Sequence, residues 1–123
     1  MSSSEKKAYL LLLSVIFHYH GLDKEEEELL RDKAKAIMGL EELDWVNDFI
    51  SQDYLHAFEN ARDYLKGEFP KLKKENQVKY LEEAWEANMS KGFVTEMEAR
   101  AMIKLARDWG IDKELLTFAR KTT

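Results

Sequence analysis

The chain has 123 residues, 45% hydrophobic and 35% charged, and its 24 acidic and 19 basic side chains give a formal charge of −5. That length suits one domain able to bury its own core, and the acidic balance argues against sequence-independent nucleic-acid binding, which relies on Lys and Arg neutralising phosphates. Cysteine is absent, which excludes disulfides, cysteine-ligated zinc and thiol chemistry and removes any need for an oxidising compartment, in keeping with a cytoplasmic location.

Helix signals begin at once. Ser2 and Glu5 have the spacing of a capping box, and Leu10, Leu13 and Phe17 recur at i, i+3 and i+7, predicting a first helix from about Ser4 to Tyr19. The apolar run Tyr9 to Phe17 is far shorter than the roughly 20 residues a membrane-spanning helix needs. Lys6 and Lys7 precede it as in a signal peptide, but His18, Tyr19 and His20 stand where a small-residue cleavage site belongs, so it reads as a buried core helix. Gly21 ends it. Asp23 with Glu26 closes a second box, and Leu30, Ala34 and Ile37 turn inward before Gly39, read as a left-handed C-cap.

Trp45 with Phe49 and Val46 with Ile50 are i, i+4 pairs that predict a third helix from about Leu43 to Ser51. Leu55, Phe58, Arg62 and Leu65 predict a fourth, stopped by Gly67, and Pro70 disfavours a helical Phe69 and divides the chain. The basic run Lys71 to Lys74 reads as a solvated helix face. Val78, Leu81, Trp85 and Asn88 line a fifth helix. After Gly92, Thr95 and Glu98 make a capping box for a sixth, with Met102, Leu105, Ala106 and Trp109 on its stripe. Gly110 stops that helix, Asp112 caps the next, and Leu115, Leu116 and Ala119 belong to a last short one. Trp45, Trp85 and Trp109 lie on apolar stripes and are expected in the core.

Gly21 and Gly92, and likewise Gly39 and Gly110, lie 71 residues apart (92 − 21 and 110 − 39), and the same offset pairs Leu10 with Leu81 and Leu40 with Ile111. Each of these glycines is expected to end a helix just before a new one begins. The expected architecture is therefore an all-α compact bundle of six to seven helices, with a helical hairpin duplicated about a pseudo-two-fold and half-repeats of about 5–67 and 71–121.

The segment from Ala87 through Lys91 and Gly92 to Thr95 and Glu98 resembles the TerB-like (tellurite-resistance) pattern. There a helix ends in Asp-Gly, followed by an aliphatic residue, a Ser or Thr cap and a glutamate three residues on. Ala106 to Ile111 is similar to the family's closing small-residue and Gly-aliphatic step. His20 to Glu26 and Met38 to Leu40 read the same way in the first half, with one residue fewer in the loop. The resemblance implies a bundle of about seven helices, a part in bacterial stress response including tellurite resistance, protein partners that are often membrane-associated, and a divalent-metal site on acidic loop residues. His20 and Lys91 replace the family's aspartates, so the implied ligands narrow to Glu26 or Glu27 and Glu98.

Read from the residues alone, His18 and His20 with Asp23 and Glu27 are the one cluster of transition-metal ligands. The residues expected to hold a divalent ion are His20, Asp23, Glu26, Glu27 and Glu98. The plainer reading has His18 against the core, His20 in solvent and the acidic run Glu25 to Glu28 complementing a helix dipole. No EF-hand, phosphate loop or activated nucleophile is present, so the chain is not expected to be an enzyme. Phe69 and Phe93 fall in predicted loops beside proline or glycine, where exposed aromatics mark interaction surfaces. Tyr54, Tyr64 and Phe58 are expected to join Phe69 in a patch that binds a protein partner, against the alternative that Phe69 caps the core.

Overall fold

The first helix sets the rest of the architecture. In the computed structural model, which describes residues 1–90 and 92–122 with the side chain of His20 outside the description, α1 spans Ser3–Phe17. Every residue from Ala8 to Phe17 is buried, Ser14 included. A helix apolar all round belongs inside a domain rather than on its face, and α1 is packed about by α2 (Lys24–Ala36), α3 (Leu40–Gln52), α4 (Ala57–Glu68), α5 (Lys74–Met89) and α6 (Glu96–Asp108). The last helix, α7 (Asp112–Thr122), packs on α5 and α6. Seven α-helices, three short 3₁₀ turns and no strand make up the described residues. None of these helices is long and apolar enough to cross a membrane.

Caps and stops follow the sequence with informative exceptions. Ser2 Oγ accepts from the Glu5 N–H at 3.1 Å as expected, while the Glu5 carboxylate accepts from the Tyr80 hydroxyl of α5 and so joins two helices. The α-helix ends at Phe17, and the predicted terminus at Tyr19 lies inside a 3₁₀ turn, His18–His20. Leu55 is not in a helix and does not face inward. It sits in the 3₁₀ turn Tyr54–His56, capped by Asp53, and is 90% exposed. Gly67 lies within α4 rather than stopping it. The chain turns only at Phe69–Lys71, where Phe69 keeps helical dihedrals (φ −62°, ψ −39°) despite preceding Pro70. The Gln77 side-chain amide donates to the carbonyls of Phe69 (2.8 Å) and Leu72 (3.0 Å), which holds that turn.

The internal repeat is present in the local structure, but in a different register. Gly21 and Gly92 both have positive φ (79° and 103°), and their N–H groups donate three residues back, to His18 and Met89. This pair keeps the offset of 71. From the next residue pair onward the offset is 72. Asp23 and Thr95 are N-caps of reciprocal capping boxes with Glu26 and Glu98, each opening a helix of 13 residues. Leu30 and Ala34 of α2 are buried as Met102 and Ala106 are in α6. Each copy is a three-helix unit whose members touch pairwise, α1–α2–α3 and α5–α6–α7, and α4 has no counterpart. Each expected hairpin thus packs with a third helix of its own unit.

Gly39 is not the left-handed residue either. Met38 takes that role with φ 55°: its N–H donates to Lys35 and the Gly39 N–H to Ala34, as the N–H groups of Gly110 (φ 72°) and Ile111 donate to Arg107 and Ala106. Both ends are Schellman motifs, and the structural equivalent of Gly110 is Met38. Gly39 answers a different need, because a Cβ there would lie 3.2 Å from Ile37 Cγ1 and 3.4 Å from Leu10 Cδ1. Since left-handed backbone disfavours any residue with a Cβ, Met38→Gly is expected to raise stability by about 0.5–1 kcal/mol. Urea unfolding checks it, and a loss of stability would show that the Met38 side chain matters more than its backbone.

Candidate functional site

The loops joining α1 to α2 and α5 to α6 meet at one open cleft of about 410 Å³, lined by Gly21, Asp23, Glu25, Glu26, Leu29, Ala87, Ser90, Phe93 and Thr95. The two loops occupy equivalent places in the two units and differ in length by a single residue. The first loop passes from Gly21 through Leu22 to the cap Asp23; the second passes from Gly92 through Phe93 and Val94 to the cap Thr95. Leu22 and Val94 are both half-buried against the core. Phe93 is therefore the inserted residue, and it is 58% exposed at the cleft. Leu29 and Ala87 complete the apolar part.

Carboxylates form one side. Asp23 Oδ1 accepts from the Glu26 N–H at 2.8 Å, and Glu26 Oε1 accepts from the Asp23 N–H at 3.3 Å, which fixes both side chains at the start of α2. Glu25 lies between them in sequence and is exposed. Glu98 differs from its counterpart Glu26: it is fully buried, and its Oε1 accepts from the N–H of Thr95 at 2.9 Å and from its hydroxyl at 3.0 Å. The Ser90 hydroxyl donates to the Ala87 carbonyl at 2.7 Å, so both hydroxyl-bearing residues of the cleft hold helix ends.

The predicted metal ligands are divided by this arrangement. Asp23 and Glu26 line the cleft, Glu98 lies beneath the surface in its capping box, and Glu27 faces a second cleft of about 420 Å³ with Glu28, Arg31, His18 and Tyr54. The His20 side chain and Lys91 lie outside the described residues. Among the described residues, no three His, Asp or Glu side chains are gathered in a way that could hold a metal ion. His18 is half-buried, with Nδ1 3.3 Å from the Tyr54 hydroxyl and the two rings edge to face at 5.5 Å. Burial pushes its pKa below the usual histidine value.

The aromatic patch expected around Phe69 is corrected in the same way. Phe69 has no exposed surface; it stacks on Trp109 with ring centroids 3.8 Å apart and meets Tyr80 edge-on. It caps the core because the 3₁₀ turn held by Gln77 folds it back over α5 and α6. Tyr64 is half-buried against Trp45 and Phe49, with Lys7 Nζ 4.9 Å from the Trp45 ring centre. Tyr54 and Phe58 do share a cleft, of about 340 Å³, beside Leu55. Of the three tryptophans Trp85 is buried, while Trp45 and Trp109 are half-buried against the core.

Glu25, Leu29, Ala87 and Ser90 are not among the site residues expected from the sequence. The signal for Glu25 and Leu29 was their position on the first helix after a capped loop, on the i, i+4 face. Only the meeting of the two loops selects that face.

Comparison with protein-family models, with curated proteins and with solved structures finds no match to this chain.

Proposed function

We propose that this chain is a non-enzymatic helical interaction module, TerB-like in class, that binds another protein through the cleft between its two matched loops as part of a bacterial stress response of the tellurite-resistance type. The observation that carries the binding role is Phe93: an aromatic inserted into one of two otherwise equivalent loops, 58% exposed, at the mouth of an open cleft with apolar residues behind it. Core demands do not account for it, because Val94 does the packing that Leu22 does in the other copy. A large apolar side chain with much of its surface exposed at a concave site is what partner recognition uses. The stress-response part of the reading is supported by the resemblance at Gly92, Thr95 and Glu98 and by the two-copy layout of capped helices.

A photo-reactive phenylalanine analogue at position 93 tests the binding role in cells. The expected outcome is one dominant cross-linked protein, absent when the analogue is placed at exposed Glu75. Phe93→Ser should abolish its capture while changing stability by no more than about 1 kcal/mol, as for a surface substitution. Equal labelling from both positions, or measurable turnover of a small molecule by the purified chain, overturns the reading.

The alternative, a divalent-metal protein using the acidic and histidine loop residues His20, Asp23, Glu26, Glu27 and Glu98, has only Asp23 and Glu26 of that set lining the cleft. It predicts stoichiometric metal by elemental analysis and a melting temperature lowered by chelator.

A further inference from the structure

The second cleft, of about 420 Å³, is bounded by α2, α3 and the first two 3₁₀ turns, and its chemistry differs from that of the first. Its floor is aliphatic, with Leu30, Leu43 and Ile50 all buried. Glu27, Glu28 and Arg31 line it from α2 and Asn47 from α3, beside the His18–Tyr54 pair. Charges of this kind can belong to any solvated helix face, but the second unit supplies an internal comparison. At the offset of 72, Leu30 and Leu43 correspond to Met102 and Leu115, which are also buried. Glu27, Arg31 and Asn47 correspond to Ala99, Ile103 and Ala119 (99 − 27, 103 − 31 and 119 − 47), all three apolar and half-buried against the core. The buried leucines of the floor thus have apolar counterparts, and at these three rim positions only the first unit carries polar groups.

We propose that this second cleft binds a free α-amino acid with a large apolar side chain. Its ammonium group lies toward Glu27 and Glu28, its carboxylate toward Arg31 and Asn47, and its side chain on Leu30, Leu43 and Ile50. Glu27 and Arg31 are spaced i, i+4 and so share one face of α2, which puts both signs of charge within one helical turn, as a zwitterion requires. A guanidinium takes a carboxylate through two parallel hydrogen bonds. The volume lies within the range of about 300–1,000 Å³ usual for small-molecule sites, and an aliphatic floor disfavours polar side chains because they lose water there without a partner. An amine without the carboxylate leaves Arg31 unused, and an acid without the ammonium group meets two carboxylates. The inference goes beyond the binding role at Phe93 and does not depend on it, since the two clefts share no lining residue among those described.

The test is an NMR titration of the full chain with leucine and with phenylalanine, then with the N-acetyl and decarboxylated forms of whichever binds more tightly, and with glycine. The free apolar amino acid is expected to give saturable shifts in the α2 and α3 amides around the cleft. The N-acetyl form, the amine and glycine should each bind at least tenfold more weakly. Glu27→Ala and Arg31→Ile, which place the second unit's residue types in the first, should each weaken binding at least tenfold. Glu25→Gln, at the other cleft, should cost less than twofold. Thermal melts of the three variants check that each is folded. No saturable shift with either amino acid, shifts confined to the first cleft, equal binding of the N-acetyl form or the amine, or unchanged affinity in Arg31→Ile overturns the inference.

Discussion

Phe69→Ala is expected to destabilise the protein by about 3–5 kcal/mol, the cost of removing a fully buried aromatic and leaving a cavity behind. Phe69 is wholly inaccessible to solvent and lies flat on Trp109, whose backbone caps α6, while Tyr80 of α5 meets its edge. It thus joins the end of α4 to two helices of the second unit. Aromatic contacts add about 0.5–1.5 kcal/mol beyond burial, and Trp109 loses its stacking partner in the variant. For a domain whose whole stability is about 5–15 kcal/mol, the melting temperature should fall by on the order of 10 °C or more. Urea unfolding with an unchanged denaturant slope is the check. A loss below about 1 kcal/mol would mean that Phe69 is solvated and available to a partner.

Asp108→Ala is the second large effect. Arg62 of α4 grips Asp108 of α6 through two parallel bonds, Nε to Oδ2 at 2.6 Å and a terminal guanidinium nitrogen to Oδ1 at 2.9 Å. The Asp108 side chain is 10% exposed. Bidentate pairs of this kind are stronger than ordinary surface ion pairs, and removing one partner strands the other charge in a partly buried place. The expected loss is about 2–3 kcal/mol, below the full cost of a deeply buried pair because the Arg62 side chain keeps some contact with water (26% exposed). The hydrogen bond from Arg62 holds the Asp108 pKa below the usual carboxylate value. A depressed folded-state pKa means that the stabilisation is complete above the unfolded value of about 3.9 and is lost as pH falls through the folded value. The wild type should therefore lose stability more steeply than Asp108→Ala as the pH is lowered below about 4. Parallel pH profiles for the two proteins would show that the pair contributes little.

Much of this fold is legible in the sequence because helix ends are chemically marked. Asp23 with Glu26 and Thr95 with Glu98 announce helix starts through side chains that reach only three residues, and Gly21 and Gly92 mark turns that need positive φ. What depends on distant contacts was not legible. Gly39 and Gly110 share the spacing of Gly21 and Gly92, yet one is glycine for space beside the Ile37 side chain and the other for its backbone dihedral. The left-handed position went to Met38, a residue whose own preference is against it. Phe69 looked like a loop residue because Pro70 follows it, and the Gln77 amide that folds the turn inward lies eight residues on. The cleft was half visible. The sequence already shows the first loop to be one residue shorter and places Phe93 in a loop, but which residue is the insertion emerges only when the caps, not the glycines, are aligned.

The proposed binding role depends on the two matched loops facing each other across a single cleft. Because the chain contains no cysteine, an engineered pair is a clean reporter: Glu25→Cys with Phe93→Cys, treated with a short bis-maleimide, against Glu28→Cys with Phe93→Cys. Glu28 lies on the same helix but lines the other cleft. The 25/93 pair should cross-link rapidly within the folded monomer and the 28/93 pair should not. Equal rates for the two pairs, or no intramolecular product from 25/93, would contradict it.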